Sequence, residues 1–513
     1  MARPTKPRCT LAIATATVLV VAGAAQRCIL IWSWVRPWTN EDLTLLWAAA
    51  RDWGAGHARQ PNFWGQSYGT TLEGLPTEAL RWVGIGYPTG LPIVISAAHL
   101  LMWWIPAAAA WRRGHRFSCC LALAAPLVLS DEYLIITSVY SAVAGRVIAS
   151  LALAIVILAD RRVGRVAVAC GLAALAFQFD SSTLLVTLPA CGYALVAIRR
   201  DLWGRGALRR YGIIGVCLLP SVVWQIFTSR WYRRHPEDAL HPAPALRPST
   251  RILMANVRAP GRLFTMFSPE LLRSPILVLS LAIVIVVAVL ATGRAPQVVA
   301  GCAFPLVLVM AMALPKSQDQ LATVYFPAAR TIAVLPLALW FLVLIGPRPR
   351  RRVPLVPAFA ALLAVVAVTS AVRVYTWSER GGAELASAVA FPSYPLTRNT
   401  DLVGRCARVR AAAETTNTSI AIFVDRTAAY GCAGLIGDEV TTAFPPYERR
   451  SWVLKELDKV GADRMMLVGA VAEICANSGL HCAQFDPDIV LIQLDGSTPL
   501  DAVRELGIAV RPF

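Results

Sequence analysis

The chain has 513 residues, 56% of them hydrophobic and 16% charged, with a mean hydropathy of +0.55. Soluble domains average about 25% charged residues, so this composition excludes an ordinary cytosolic enzyme, and its apolar fraction excludes a disordered chain. The formal charge of +18 is uneven: 35 basic and 14 acidic residues precede position 373, whereas 14 basic and 17 acidic residues follow from there. A basic excess confined to the apolar part is loop charge that orients a membrane protein, not a nucleic-acid footprint.

Apolar runs near 11–31, 91–111, 117–130, 141–159, 166–179, 183–198, 211–229, 276–292, 298–314, 331–346 and 353–372 approach the length that crosses about 30 Å of hydrocarbon. They predict a polytopic α-helical membrane protein with about eleven spans. The first run, with Val21-Ala22-Gly23-Ala24-Ala25, has a rival reading as a cleaved signal peptide. Its apolar stretch resumes through Cys28–Val35, however, so an uncleaved helix is expected. A cytoplasmic N-terminus puts Arg112/Arg113/Arg116, Arg162/Arg165, Arg199/Arg200 and the Arg348–Arg352 run all inside. The outer loops 131–140 and 180–182 then carry no Lys or Arg, as the positive-inside bias requires. An odd span count leaves residues 373–513 outside the cytoplasm.

The first outer loop, 32–90, is too long and aromatic for a connector. Leu43, Leu46, Trp47, Ala50 and Trp53 recur at helical spacing, with Trp32, Trp34 and Trp38 nearby, which predicts a helix at the membrane interface. Glu41 and Asp42 stand at its start. Carboxylates there either stabilise the amide end of the helix or act as catalytic groups, and position alone leaves both open. His57 and His99 stand outside any ligand spacing and read as structural.

Asn40-Glu41-Asp42, the helix, and then Asn62-Phe63-Trp64-Gly65-Gln66-Ser67-Tyr68-Gly69-Thr70-Thr71-Leu72-Glu73 resemble the membrane-embedded GT-C glycosyltransferases. The nearest branch is the protein-mannosyltransferase-like one that uses dolichyl- or polyprenyl-phosphate sugars. The layout agrees over most of 1–375, and the residue-level likeness is concentrated in 40–90. The resemblance implies a polyprenyl-phosphate-linked sugar donor, inversion in one displacement, and a first-loop carboxylate, Asp42 or Glu41, as general base. It implies substrate-binding roles for Gln66, Tyr68 and Glu73, and for Asp131-Glu132 after the third span. One departure stands out: the family usually writes the pair Asp-Glu, and here it is Glu-Asp.

Farther along, the outer loop 230–275 holds eight arginines, a solvated or headgroup-facing surface. Near the tenth span, Tyr325 and Arg330 loosely resemble the family's Arg-Tyr element beside the donor phosphate. Arg330, Arg27 and Arg146 also read as side chains snorkelling to headgroups. Beyond 373 the texture becomes a small extracytoplasmic α/β domain, with strands expected at Ser419–Val424, Met465–Val468 and Ile489–Leu494 and a helix at Ser451–Val460. Its four cysteines allow three pairings; proximity favours Cys406–Cys432 and Cys475–Cys482. No chemistry is assigned to this tail.

The domains are therefore 1–372, a transmembrane GT-C-like glycosyltransferase domain, and 373–513. The expected partners are the lipid-linked donor, an acceptor outside the cytoplasm and membrane lipids, without nucleic acid. No metal-ligand spacing occurs, and a divalent cofactor stays open. Alternatives are a lipid-diphosphate-dependent glycan polymerase or ligase, and a transporter; the latter calls for paired broken helices, which the sequence lacks. The topology is testable. A reporter active only outside the cytoplasm should give signal when fused after Phe513 and none when fused after Arg162; the reverse pattern overturns it.

Overall fold

The structure, a computed structural model, describes residues 6–139, 143–159, 162–203, 206–241, 247–258, 264, 267–314, 333–347, 355–379, 396–469, 474–475 and 478–513. The helices that matter here are, in chain order, α1 (Lys6–Leu30), α2 (Glu41–Gly54), α3 (Gly74–Trp82), α4 (Tyr87–Arg112), α5 (Arg116–Val128), α6 (Asp131–Val139), α7 (Val143–Leu158), α8 (Val163–Phe179) and α9 (Leu184–Ala197). They continue with α10 (Ala207–Arg234), α11 (Thr250–Arg258), α12 (Pro275–Leu290), α13 (Ala295–Ala313), α14 (Leu335–Ile345) and α15 (Leu355–Glu379). The tail adds α16 (Asn399–Thr416), α17 (Arg426–Ile436), α18 (Ser451–Leu457) and α19 (Pro499–Glu505).

Each apolar run of the sequence is matched by a helix. Among the described residues, five stretches are long and apolar enough to cross a membrane: Thr10–Val35, Tyr87–Arg112, Ala207–Arg234, Ala295–Ala313 and Val356–Trp377. The other six apolar helices are shorter. Such helices satisfy their backbone groups internally, the condition for living in hydrocarbon. The chain is an integral membrane protein.

It divides into two compact units: one from 1–34, 95–226 and 244–391, the other from 35–94, 227–243 and 392–513. The second unit joins residues 35–94 and 227–243 to the tail.

In the membrane unit, three buried arginines tie helices together. Arg27 of α1 donates to the Leu134 carbonyl at 2.9 Å, to Thr137 Oγ1 at 2.8 Å and to Ser138 Oγ, all on α6. Arg146 of α7 meets Asp180 at 2.9 Å and His99 of α4 at 2.8 Å. Arg373 of α15 meets Asp131 at 2.6 Å and the Leu127 carbonyl at 2.9 Å. The sequence expectation that Arg27 and Arg146 snorkel to headgroups is therefore corrected: both are at most 3% exposed. Bonds to neighbouring helices replace the headgroup contacts, which is how charge persists among apolar spans.

The tail unit carries a five-stranded sheet. Its strands follow two short ones, β1 (Trp38–Thr39) and β2 (Thr397–Arg398), which pair antiparallel. The sheet strands are β3 (Ile420–Phe423), β4 (Thr441–Ala443), β5 (Arg464–Val468), β6 (Cys482–Asp486) and β7 (Ile489–Gln493), in the order β4-β3-β5-β7-β6. β4, β3 and β5 run parallel, with β7 and β6 added antiparallel. β3 is buried throughout, as the apolar run Ile-Ala-Ile-Phe in a parallel pairing demands. β6, at the edge, is largely exposed.

α2 forms where its spacing predicts, but its apolar stripe packs on α17 of the tail rather than lying against lipid. A Cβ at Gly434 would stand 2.6 Å from that of Trp47, so the glycine permits the close approach. Disulfides join Cys406 to Cys432, between α16 and α17, and Cys475 to Cys482. Alkylating the unreduced protein should leave these four thiols unlabelled. Replacing Cys406 and Cys432 together by Ser should lower unfolding stability by about 3 kcal/mol, read by denaturant titration of the full chain.

Candidate functional site

The start of α2 shows how its two carboxylates are used. Asn40 takes extended backbone and its side chain accepts the Leu43 amide at 3.0 Å, so Asn40 is the cap. Glu41 and Asp42 are left for other partners. Arg449 forks between them, with Nη2 at 2.9 Å from Glu41 Oε1 and Nη1 at 2.9 Å from Asp42 Oδ1. Arg426 Nε lies 2.8 Å from Glu41 Oε2. The side chains of Glu41 and Arg449 are each 1% exposed, that of Asp42 13%. Among the described residues, no bond reaches the other oxygen of Asp42. The pair is thus asymmetric: Glu41 is enclosed by two guanidinium groups, and Asp42 is held by one and half open.

Aromatic rings wall the pair. The Arg449 guanidinium lies 5.8 Å from the Phe63 ring and 5.9 Å from that of Tyr447, and Arg426 lies 5.3 Å from Tyr447. The Arg449 amide donates to the Tyr430 hydroxyl at 3.0 Å, and that hydroxyl donates to the Tyr447 carbonyl at 2.9 Å. Gly65 has φ +75°, and a Cβ there would stand 2.8 Å from Arg449 Cγ. Glycine is required twice at this position, for its backbone and for the space the arginine fills. Gln60 braces the same turn, accepting the Gly65 amide at 3.0 Å and donating to the Arg449 carbonyl at 3.4 Å. Next in sequence, Glu448 and Arg450 form a buried pair at 2.7 Å that fixes the segment.

Burial raises the Glu41 carboxyl above its ordinary value of 4.5, against the opposing pull of Arg449. A second carboxylate, Asp52, is also raised by burial, opposed by Arg59 at 3.2 Å. Asp52 lines a cleft of about 120 Å³ with Arg59, Trp64 and Trp452, the two indoles meeting edge to face at 4.9 Å.

The other expected site residues divide clearly. Gln66 is buried, and its carbonyl accepts the Tyr232 hydroxyl at 2.7 Å. Glu73 is buried at the start of α3, and its carbonyl accepts the Thr77 hydroxyl at 2.7 Å. Tyr68 is half-buried in the same turn region. Asp131 and Glu132 belong to the membrane unit. Asp131 is filled by Arg373 and by the Trp377 indole at 3.1 Å, and Glu132 lies 3.7 Å from Arg273. Tyr325 and Arg330 lie outside the described residues.

The tail, to which the sequence assigns no chemistry, delivers Arg449 and Arg426 to the carboxylate pair. The only sequence signal is the charged run Glu448-Arg449-Arg450 inside an apolar stretch. Among the described residues no group of three His, Cys, Asp or Glu side chains forms a metal cluster.

No family model and no curated protein matches the chain. Among solved structures it is similar to ArnT from Cupriavidus metallidurans, crystallised with undecaprenyl phosphate bound. The identity is 12% and the TM-score 0.49, over 97% of this chain and 100% of that one.

Two outcomes test the pair. Arg449→Gln leaves two carboxylates without their shared cation and should cost about 3–5 kcal/mol of stability, with Arg449→Lys intermediate because an ammonium cannot fork. Because the native Glu41 carboxyl is raised, its contribution is full below pH 4.5 and is lost as pH rises through the native value. Glu41→Gln should therefore flatten the fall in stability above pH 4.5, measured by denaturant unfolding across pH.

Proposed function

We propose that the chain is a membrane glycosyltransferase that moves a sugar from a polyprenyl-phosphate-linked donor to an acceptor outside the cytoplasm, with inversion. The observation that carries this reading is the unequal treatment of Glu41 and Asp42. With Asn40 serving as the cap, two carboxylates are kept next to each other at one helix end for another purpose. Glu41, enclosed by Arg449 and Arg426, acts as a positioning residue. Asp42, with one oxygen fixed and the other unbonded among the described residues, acts as the base.

The acceptor oxygen attacks the anomeric carbon as Asp42 takes its proton. A new C–O bond forms, the bond from that carbon to the donor phosphate oxygen breaks, and the lipid phosphate leaves with the electron pair. The departing phosphate calls for fixed positive charge, which an arginine side chain supplies. The cleft beside Trp64 and Trp452 offers flat apolar faces with Asp52 and Arg59 at hand, a lining suited to a sugar ring of the acceptor. Tyr68 contributes a further contact, whereas Gln66 and Glu73 hold the backbone of the loop in place. The inverted Glu-Asp order thus assigns the base to the second residue.

The deciding comparison is transfer from a polyprenyl-phosphate sugar by wild type, Asp42→Asn and Glu41→Gln at equal folded amounts. Asp42→Asn should lower turnover by about 10²–10⁴. Near-normal turnover in both variants would remove the transferase reading.

A further inference from the structure

The geometry points to a second ligand site in the membrane unit, one that takes the phosphate headgroup and upper chains of an anionic phospholipid. It is a cavity of about 1050 Å³ where α4, α7, α9 and α14 end and α8 and α13 begin. A volume of that order matches pockets that hold whole ligands. The lining belongs to the membrane unit alone, so the inference is independent of the transferase reading.

The lining is divided in character. Arg113, His115, Arg294 and Gln297 supply the polar part, and Val166, Phe341 and Leu344 the apolar part. Water alone would wet the apolar wall, and a hydrocarbon chain alone would strand the cations. An amphiphile with an anionic head satisfies both. Arg113 donates through Nε to the Ile157 carbonyl at 2.8 Å, which fixes one edge of its guanidinium at the cavity. Arg294 precedes α13, and its side chain makes no capping bond there. A guanidinium matches phosphate with paired, charge-assisted bonds.

The identity of this end of the bundle favours lipid as the source of the phosphate. The chain segments at the cavity, around 113–115, 156–166, 194–197, 292–297 and 344–347, are those that the arginine alternation assigns to the cytoplasmic face. That leaflet is rich in anionic lipid, and basic pockets between spans there bind headgroups.

The test is native mass spectrometry of the full chain released from vesicles of mixed phosphatidylglycerol and phosphatidylcholine. Wild type should retain phosphatidylglycerol preferentially. The double variant Arg113→Gln/Arg294→Gln should retain about tenfold less, as expected when charge-assisted bonds are lost. Val166→Trp, which fills the apolar part and keeps the charges, should also lose lipid. Arg199→Gln, which removes a cation from the same end without touching the cavity, should not. Equal retention of the two lipids, or wild-type retention by the double variant, overturns the site. If Val166→Trp has no effect and inorganic pyrophosphate displaces the bound species, the phosphate comes from a soluble compound and the lipid assignment fails.

Discussion

The tail unit depends on one buried cation. Arg449 is taken out of water almost completely, and a guanidinium in that position is tolerated only if its hydrogen bonds are met by acceptors of opposite charge. Asp42 accepts such a bond and Glu41 adds a close opposite charge, and the consequences spread outward. Gly65 must lack a side chain, Phe63 and Tyr447 must present ring faces, and Tyr430 must hold the backbone on either side of the arginine. The motif at 60–65 is therefore shaped to fit a residue far along the chain. Any proposed chemistry at Asp42 inherits its geometry from that fit.

The membrane unit follows the same physics with a different purpose. Arg27, Arg146 and Arg373 each join helices distant in sequence, using carbonyls, hydroxyls or single carboxylates as partners. Among apolar spans there is little hydrophobic gain in bringing helices together, so such bonds and close packing of small side chains select the arrangement. Asp131 shows the cost to a sequence reading. A carboxylate after a span can face a ligand, yet here both its oxygens are taken by Arg373 and Trp377.

What the sequence discloses and what it hides follow from range. The apolar helices are legible because a span must be long, apolar and free of unmet backbone groups within one continuous stretch. β3, β5 and β7 are legible for a related reason, as short β-branched runs between turns. β4 and β6 are not: Thr441–Ala443 is only three residues long, and β6 is an exposed edge with a mixed polar pattern. Asn40, Glu41 and Asp42 stand out locally, but the choice between capping and other roles turns on Arg449, 407 residues beyond Asp42. No local window contains that pairing. The snorkelling expected of Arg27 and Arg146 fails likewise, because Thr137, Ser138 and His99 lie in other helices and Asp180 in a loop beyond another.

The tail unit is assembled from three stretches, 35–94, 227–243 and 392–513. A chain made from its N-terminus threads its spans one after another while residues 35–94 wait for the tail. Until Arg449 emerges, Glu41 and Asp42 are two like charges without their cation, and the turn at Gly65 has nothing to close around. The carboxylate pair can therefore take its final form only after Arg449 has been made. A chain truncated before Arg449 therefore carries this motif without the cation that orders it.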